Sequence, residues 1–385
     1  MSIRGGAARM LLIGLLGLSL SPHVFAGQCA RPDVRYEVLM LGTLGASGGY
    51  ASDVSELGQV TGASSRSDQV GRAFVWDCLR GMRNIGAVSE DHFSSMGLHI
   101  NNRGEVVGQS FSEEDITLFI WDRRRGMRGI ESGNPYSLND RGEVTFIGQG
   151  GTLRWTEASG SVPLETLTGI NYREAFVNER REIGGYGAHP IAPDDRFLVW
   201  SQQRGVEARG PEPTDAYMNV LRGFNNRSDL LGIAFLFGGA AVPFIVDRSG
   251  QLRQLFAPRI GEYFEATSFN TLRQVIGFSF VSGESESQQP FIWDSRHGVR
   301  NLNMLVYGRI PGANEPRVTR ANSINEWGWI AGAAIAESGP YDDPALLVPV
   351  PANNPRYRNL GRLRGAALCA TLAASQLEQV QHCGR

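Results

Sequence analysis

The chain has 385 residues, of which 20% are charged, with 48 Gly, 18 Pro and a formal net charge of −2. Every basic residue is arginine, and beyond residue 26 there are 35 basic against 39 acidic residues, a mild −4. This balance argues against nucleic acid as a partner, and no later stretch is apolar enough to serve as a transmembrane anchor. Many turn formers and few long helical patterns predict an all-β chain.

Residues 1–26 have the layout of a secretory signal peptide. Arg4 and Arg9 precede an apolar run, Met10–Leu20, and Val24-Phe25-Ala26 supplies small residues at the cleavage positions. The expected location is secreted or periplasmic. Tyr36–Gly42 follows as a strand that resembles the end of a repeat, before any repeat has begun.

The clearest repeat is Leu98–Ile130. Leu98–Ile100 is a short strand, ended by Asn101-Asn102-Arg103-Gly104, where glycine suits a left-handed turn position. Glu105–Ser110 is a second strand, Leu118–Trp121 a third with the unbroken apolar character of a strand covered on both faces, and Met127–Ile130 a fourth. Taking Asn101 as the anchor, equivalents follow at Asn139, Asn178, Asn225, Asn270 and Asn325, with Ser55 in the first copy. Seven residues after the anchor stands Gly62, Gly108, Gly185, Gly232, Gly277 or Gly332, and Phe146 in the third copy. Third strands close on Trp76, Trp121, Trp155, Trp200, Val246, Trp293 and Val348. Anchors 38 to 55 residues apart, with four strands each, predict a seven-bladed β-propeller of four-stranded antiparallel blades over residues 27–350. The repeated Asn, Gly and Trp residues are read as packing and turn positions.

The run Leu41-Gly42-Thr43-Leu44-Gly45 precedes two recurring elements. Ile100-Asn101 with Gly104, Val106 and Gly108 forms one, and Ala73-Phe74-Val75-Trp76 the other. Over about residues 36–350 this pattern resembles the bacterial HAF-repeat family, the probable extracellular repeats. The resemblance implies an extracytoplasmic propeller and no established reaction. The chain departs from the family in two respects: Arg72 and Pro290 stand where the motif has its histidine, and there is no hydrophobic sorting tail.

Two segments compete to complete the last blade, Tyr36–Gly42 and Arg356–Gly361; closure by the N-terminal strand is the expectation, since it removes exposed edges. The loops between second and third strands share one face and carry acids, including Glu113, Glu114, Asp115, Asp194, Asp195, Glu284, Glu286, Asp342 and Asp343, with Asp68 and Glu337. The tight turns of the opposite face carry arginines from Arg103 to Arg248, so the molecule reads as electrically two-sided. The acidic rim suits a cationic ligand or simple solubility. One loop, Ile233–Ala241, is uncharged: either Phe235 and Phe237 protrude as an anchor for a partner or sugar, or the segment is a strand pair with both rings buried, the reading preferred here.

Residues 351–385 form a tail with a short helix, Ala366–Val380. Four cysteines, Cys29, Cys78, Cys369 and Cys383, suit two disulfides in an oxidising compartment. Placing Cys29 beside the turn that carries Cys78 predicts Cys29–Cys78 and Cys369–Cys383. No zinc, calcium or nucleophile-elbow spacing is present, so no metal or cofactor is expected. His99 and the Glu90-Asp91-His92 group are ordinary polar residues in this reading. The function predicted is a binding module for an extracellular protein or glycan. A carbohydrate-active enzyme using loop carboxylates, or a purely structural envelope protein, is the alternative.

Overall fold

The computed structural model describes residues 34–383 apart from 190–191, 211–212, 214–215, 238, 257–261, 282–287, 308–315, 336–339, 352–359, 361–362 and 364. The signal-peptide segment and Cys29 therefore lie outside the described residues.

The fold is all-β, with strands in four-stranded antiparallel units. Unit one comprises β2 (Gly45–Val54), β3 (Val60–Arg66), β4 (Gly71–Asp77) and β5 (Gly81–Gly86). Unit two is β6 (Ser94–Ile100), β7 (Val106–Phe111), β8 (Ile116–Asp122) and the first half of β9 (Gly126–Leu138). The second half of β9 opens unit three, continued by β10 (Val144–Gly148), β11 (Gly151–Thr156) and β12 (Gly160–Pro163). After the short helix α1 (Leu164–Thr168), unit four is β13 (Asn171–Val177), β14 (Ile183–His189), β15 (Ala192–Ser201) and β16 (Gly205–Ala208). Unit five is β17 (Ala216–Phe224), β18 (Leu230–Leu236), β19 (Ala241–Val246) and β20 (Leu252–Gln254); unit six is β21 (Glu262–Phe269), β22 (Val275–Val281), β23 (Gln289–Asp294) and β24 (Gly298–Asn301). Unit seven has three strands, β25 (Arg317–Ile324), β26 (Ile330–Ile335) and β27 (Asp342–Pro351). Its fourth place is filled by β1 (Val34–Met40), paired antiparallel with β27 from Val34↔Pro351 to Met40↔Ala345. The other segment considered for this edge, Arg356–Gly361, lies outside the described residues apart from Leu360.

Cores form between consecutive units, which explains why second and third strands are apolar on both faces. Ala73 and Val75 of unit one meet Ile100, Val106 and Phe119 of unit two. Phe197 and Val199 meet Leu230, Phe244 and Val246. One cluster joins the last unit to the first, setting Trp329, Leu346 and Val348 against Val54, Val60, Phe74 and Trp76. Each fully buried phenylalanine contributes about 1.5–3 kcal/mol.

The recurring glycine has a steric cause. First strands carry a β-bulge, as between Gly97 and His99 or Ala266 and Ser268. The bulge turns a carbonyl toward the second strand, so a Cβ on Gly108, Gly277 or Gly332 would stand 2.1, 1.9 or 2.0 Å from Met96 O, Glu265 O or Arg320 O. Of the third-strand tryptophans, Trp76 and Trp293 are buried, whereas Trp121, Trp155 and Trp200 are half-buried.

The tail helix, α2 (Gly365–Cys383), packs Leu368 and Leu372 into the cluster that joins units seven and one. Cys369 is disulfide-bonded to Cys78, 291 residues away, with the Cα atoms 5.3 Å apart. This corrects the expected Cys29–Cys78 and Cys369–Cys383 pairs. The sequence argument kept the tail to itself, but the helix lies on the same end of the units as the Cys78 turn, within bridging distance. The Cys383 side chain lies outside the described residues.

Candidate functional site

The anchor asparagines fix which residues share a face. Each is buried, and each side chain makes two kinds of contact. Asn139 Oδ1 accepts the N–H groups of Arg141 and Glu143, both at 3.0 Å, which closes the turn. Its Nδ2 donates to Glu143 Oε2 at 3.0 Å and to the carbonyl of Asn178, the next anchor, at 3.1 Å. The same link runs from Asn101 to Asn139, Asn178 to Asn225, Asn225 to Asn270, Asn270 to Asn325, and Asn325 to Ser55. The sequence reading assigned these residues to packing and turns; the hydrogen bond from one anchor to the next was not in it. Since neighbouring anchors touch, all first turns lie at one end, here the turn face. Antiparallel pairing puts the turns between third and fourth strands at that end too, and the loops between second and third strands at the opposite, loop face.

A second set of links lies one residue after the anchors. Asn102 Oδ1 accepts Glu56 N–H at 2.8 Å, Asp140 Oδ1 accepts Asn102 N–H at 2.7 Å, and the Glu179 carboxylate accepts Asp140 N–H at 2.9 Å. Glu326 N–H reaches Glu56 in the same way. Burial, reinforced by the charge of Glu326, raises the Glu56 carboxyl well above the usual range, and burial with Asp140 nearby pushes Glu179 up to about 7. Further along the first strands, burial likewise raises Glu174, which accepts Leu221 N–H. These three carboxylates satisfy backbone donors of a neighbouring unit, Glu326 and Asp140 in the first turns and Leu221 on a first strand, groups that would otherwise lack a partner.

On the loop face, the predicted acidic rim is only partly a free anionic surface. Glu113, Glu114 and Asp115 are exposed, and the Ser132 hydroxyl holds the Asp115 carboxyl below its ordinary range. Asp342 lies 3.4 Å from Arg320, Asp343 accepts Gly48 N–H at 2.9 Å, and Asp68 pairs with Arg66 at 3.0 Å. Glu284, Glu286 and Glu337 lie outside the described residues, as do the side chains of Asp194 and Asp195. Arg320 also lies over the Tyr50 ring, 5.3 Å from its centre. His99 sits 3.9 Å from Asp53, and burial lowers its pKa. In the Glu90-Asp91-His92 loop, His92 is buried, and a hydrogen bond from Ser89 lowers the Asp91 pKa.

The uncharged loop is a strand pair, β18 and β19, but its two aromatics differ. Phe235 is half-buried, whereas Phe237 is 78% exposed, which corrects the expectation that both are buried. The turn is too short to fold the Phe237 ring back onto the core. Tyr217, 58% exposed, lies 5.7 Å from Phe237 and 6.4 Å from Phe235, ring centre to ring centre. Strand pairing then runs Met218↔Phe235, Phe235↔Ala241, Ala241↔Tyr263 and Tyr263↔Phe280, through a parallel bridge between units five and six. Tyr263 and Phe280 are stacked at 4.8 Å with their planes 4° apart. Met218 and Phe280 are exposed as well. The result is a row of two aromatic groups on the loop face, Tyr217, Phe235 and Phe237 on unit five and the Tyr263–Phe280 stack on unit six, with the buried Ala241 between them. Tyr217, Met218, Tyr263 and Phe280 were missed from sequence because their meeting depends on register between units; the only local signal is the aromatic at the start of two first strands, Tyr217 and Tyr263.

On the turn face, the arginines are interleaved with carboxylates. Arg103 bonds Glu105, Arg125 bonds Asp122, and Arg273 bonds Asp229, with N···O distances of 2.6, 2.8 and 2.9 Å. The third residue after the anchor holds a left-handed φ, with Gly104 and Gly142 in units two and three but Arg181, Ser228 and Arg273 in units four to six. Where a side chain replaces glycine, it bonds a carboxylate of the preceding unit: Glu143, Glu182 or Asp229. A cleft of about 920 Å³ opens here, between the turns of units three, four and five.

No family model matches the chain, and neither does any curated protein. Among solved structures, it is similar to the β-propeller domain of the Trilobed protease from Pyrococcus furiosus, at 13% identity over 68% of this chain and 84% of that one, with a TM-score of 0.46. The BP39L lectin from Burkholderia pseudomallei is similar at 8% identity over 72% and 96%, TM-score 0.42. An oligogalacturonate lyase from Vibrio parahaemolyticus is similar at 9% over 79% and 98%, TM-score 0.40. At this distance, what those proteins bind or cleave does not transfer to this chain.

Proposed function

We propose that the chain is a secreted or periplasmic propeller of seven four-stranded blades, closed by its N-terminal strand and related to the HAF-repeat proteins, that works as a binding module. Its contact surface is the aromatic row across blades five and six, and its ligand is a glycan. The observation that carries this reading is the row itself: Phe237, Tyr217, Met218 and Phe280 stand 78, 58, 45 and 38% exposed on one face. Apolar side chains gathered in this way mark contact sites.

Size selects the ligand class. With aromatic side chains covering about 150–250 Å² each, the exposed part of the row is on the order of 400–500 Å². A stable protein interface needs about 800 Å² per partner, whereas one to three sugar rings, stacking their C–H faces on flat aromatics, need no more than is present. The Cys78–Cys369 disulfide is of the kind that persists outside the reducing cytosol. A glycosidase reading finds less support, because the raised carboxylates Glu56, Glu174 and Glu179 each hold a backbone N–H.

A glycan array probed with the mature chain tests the proposal. Binding should fall at least about tenfold in Phe237→Ala and Tyr217→Ala, and hold in the rim variant Glu113→Gln/Glu114→Gln. An array that stays blank, or binding indifferent to both aromatic substitutions, would rule the reading out.

A further inference from the structure

The turn-face cleft is a second surface, remote from the aromatic row. Five arginines line it, Arg154, Arg180, Arg181, Arg204 and Arg248, against two carboxylates, Glu143 and Glu182, so its walls carry an excess of three positive charges. The two glutamates are already saturated. Glu143 Oε1 accepts from Arg154 Nη2 at 2.6 Å and Arg181 Nε at 2.9 Å, while its Oε2 accepts from Asn139. Glu182 Oε1 accepts from Arg204 Nη2 at 2.8 Å, and its Oε2 from Arg180 Nη2 at 2.8 Å, from Asn178 and from Ser228. Burial alone would raise both acids, but these bonds hold them below the usual range, so they stay ionised and keep the guanidinium groups in place.

A guanidinium has five N–H donors, and each anchored arginine commits only part of that set. Arg204 Nε donates to Ser201 Oγ at 3.5 Å and lies 3.3 Å from Glu207 Oε1. Arg248, exposed on the neighbouring unit, has no side-chain partner among the described residues; only its backbone N–H is engaged, by Asp229. Leu167, Val177, Ile183 and Trp200 form the apolar part of the wall. Anchored arginine forks with donors to spare, in net positive excess around an open cleft, suit the recognition of phosphate, sulfate or carboxylate groups.

We infer that this cleft binds a small multivalent oxyanion, a molecule with two or more phosphate, sulfate or carboxylate groups spanning Arg204 and Arg248. Titration calorimetry of the full chain with inorganic pyrophosphate, citrate and a disulfated disaccharide tests it, and the ranking of the three identifies the oxyanion. At least one should bind one to one, more weakly as salt rises. Affinity should fall about tenfold or more in Arg248→Gln and again in Arg204→Gln/Arg248→Gln. Arg248→Gln removes no described structural contact, so its melting temperature should match the parent. Arg123→Gln/Arg124→Gln, in the corresponding turn of unit two on the same face, should bind as the parent does. Absence of heat with all three probes at millimolar concentration overturns the inference. So does an equal loss in the unit-two variant, which would mean diffuse charge in place of a site.

Discussion

Asn139→Ala removes one link of the asparagine circuit and separates its role between units from its role in the turn. Four hydrogen bonds disappear, and their costs differ. Arg141 is exposed, so water replaces the bond to its N–H at little cost. The Asn178 carbonyl keeps the bond from Arg181 N–H, so that loss is a net hydrogen bond, about 0.5–1.5 kcal/mol. Glu143 is buried, and both its N–H and its Oε2 lose a partner, at about 1–3 kcal/mol each. The sum is about 2.5–7.5 kcal/mol. Ser55→Ala is the comparison: Ser55 Oγ accepts one bond, from Gln59 N–H at 3.1 Å, and should cost about 1 kcal/mol. Urea unfolding followed by tryptophan fluorescence measures both. An Asn139→Ala loss no greater than that of Ser55→Ala would show that the link between units contributes nothing measurable, and the reasoning would fail.

Gly332→Ala should cost at least about 2 kcal/mol because its Cβ would press on Arg320 O at 2.0 Å, whereas Gly71→Ala, with no atom within 4 Å, should stay within about 0.5 kcal/mol in the same assay. For Glu179, the folded carboxyl at about 7 lies above its ordinary 4.5, so the folded state binds the extra proton and stability from this group falls as pH rises through that window. Glu179→Gln keeps an acceptor for Asp140 N–H and should gain on the order of 2 kcal/mol on the parent between pH 5 and pH 8, after allowance for partial exposure; parallel stability curves would contradict this. Peptide mapping of unreduced protein should yield a fragment joining Cys78 to Cys369, and a Cys369–Cys383 fragment instead would contradict the docked position of α2.

Strand order, turns and the repeat were legible in the sequence because they depend on neighbours a few residues apart. The Val106-Val107 pair, the turn at Asn101–Gly104 and the unbroken apolar Leu118–Trp121 all follow from local pleating and two-sided burial. Glycine at the seventh position could be seen to recur, but its reason, the bulged carbonyl of the first strand, could not. What only the tertiary structure decided concerns groups brought together from different units. Cys78 meets Cys369 because α2 docks across the joint between the last unit and the first, at a separation of 291 residues that no local rule spans. Phe235, Tyr263 and Phe280 form one row because β19 and β21 share a single parallel bridge, Ala241↔Tyr263. Likewise, Arg154, Arg204 and Arg248 surround one cleft because the turns of three units converge at the same end. Sequence periodicity sets the shape of each unit, whereas the register between units, fixed by side-chain bonds such as Asn139 to Asn178, determines which surface residues meet.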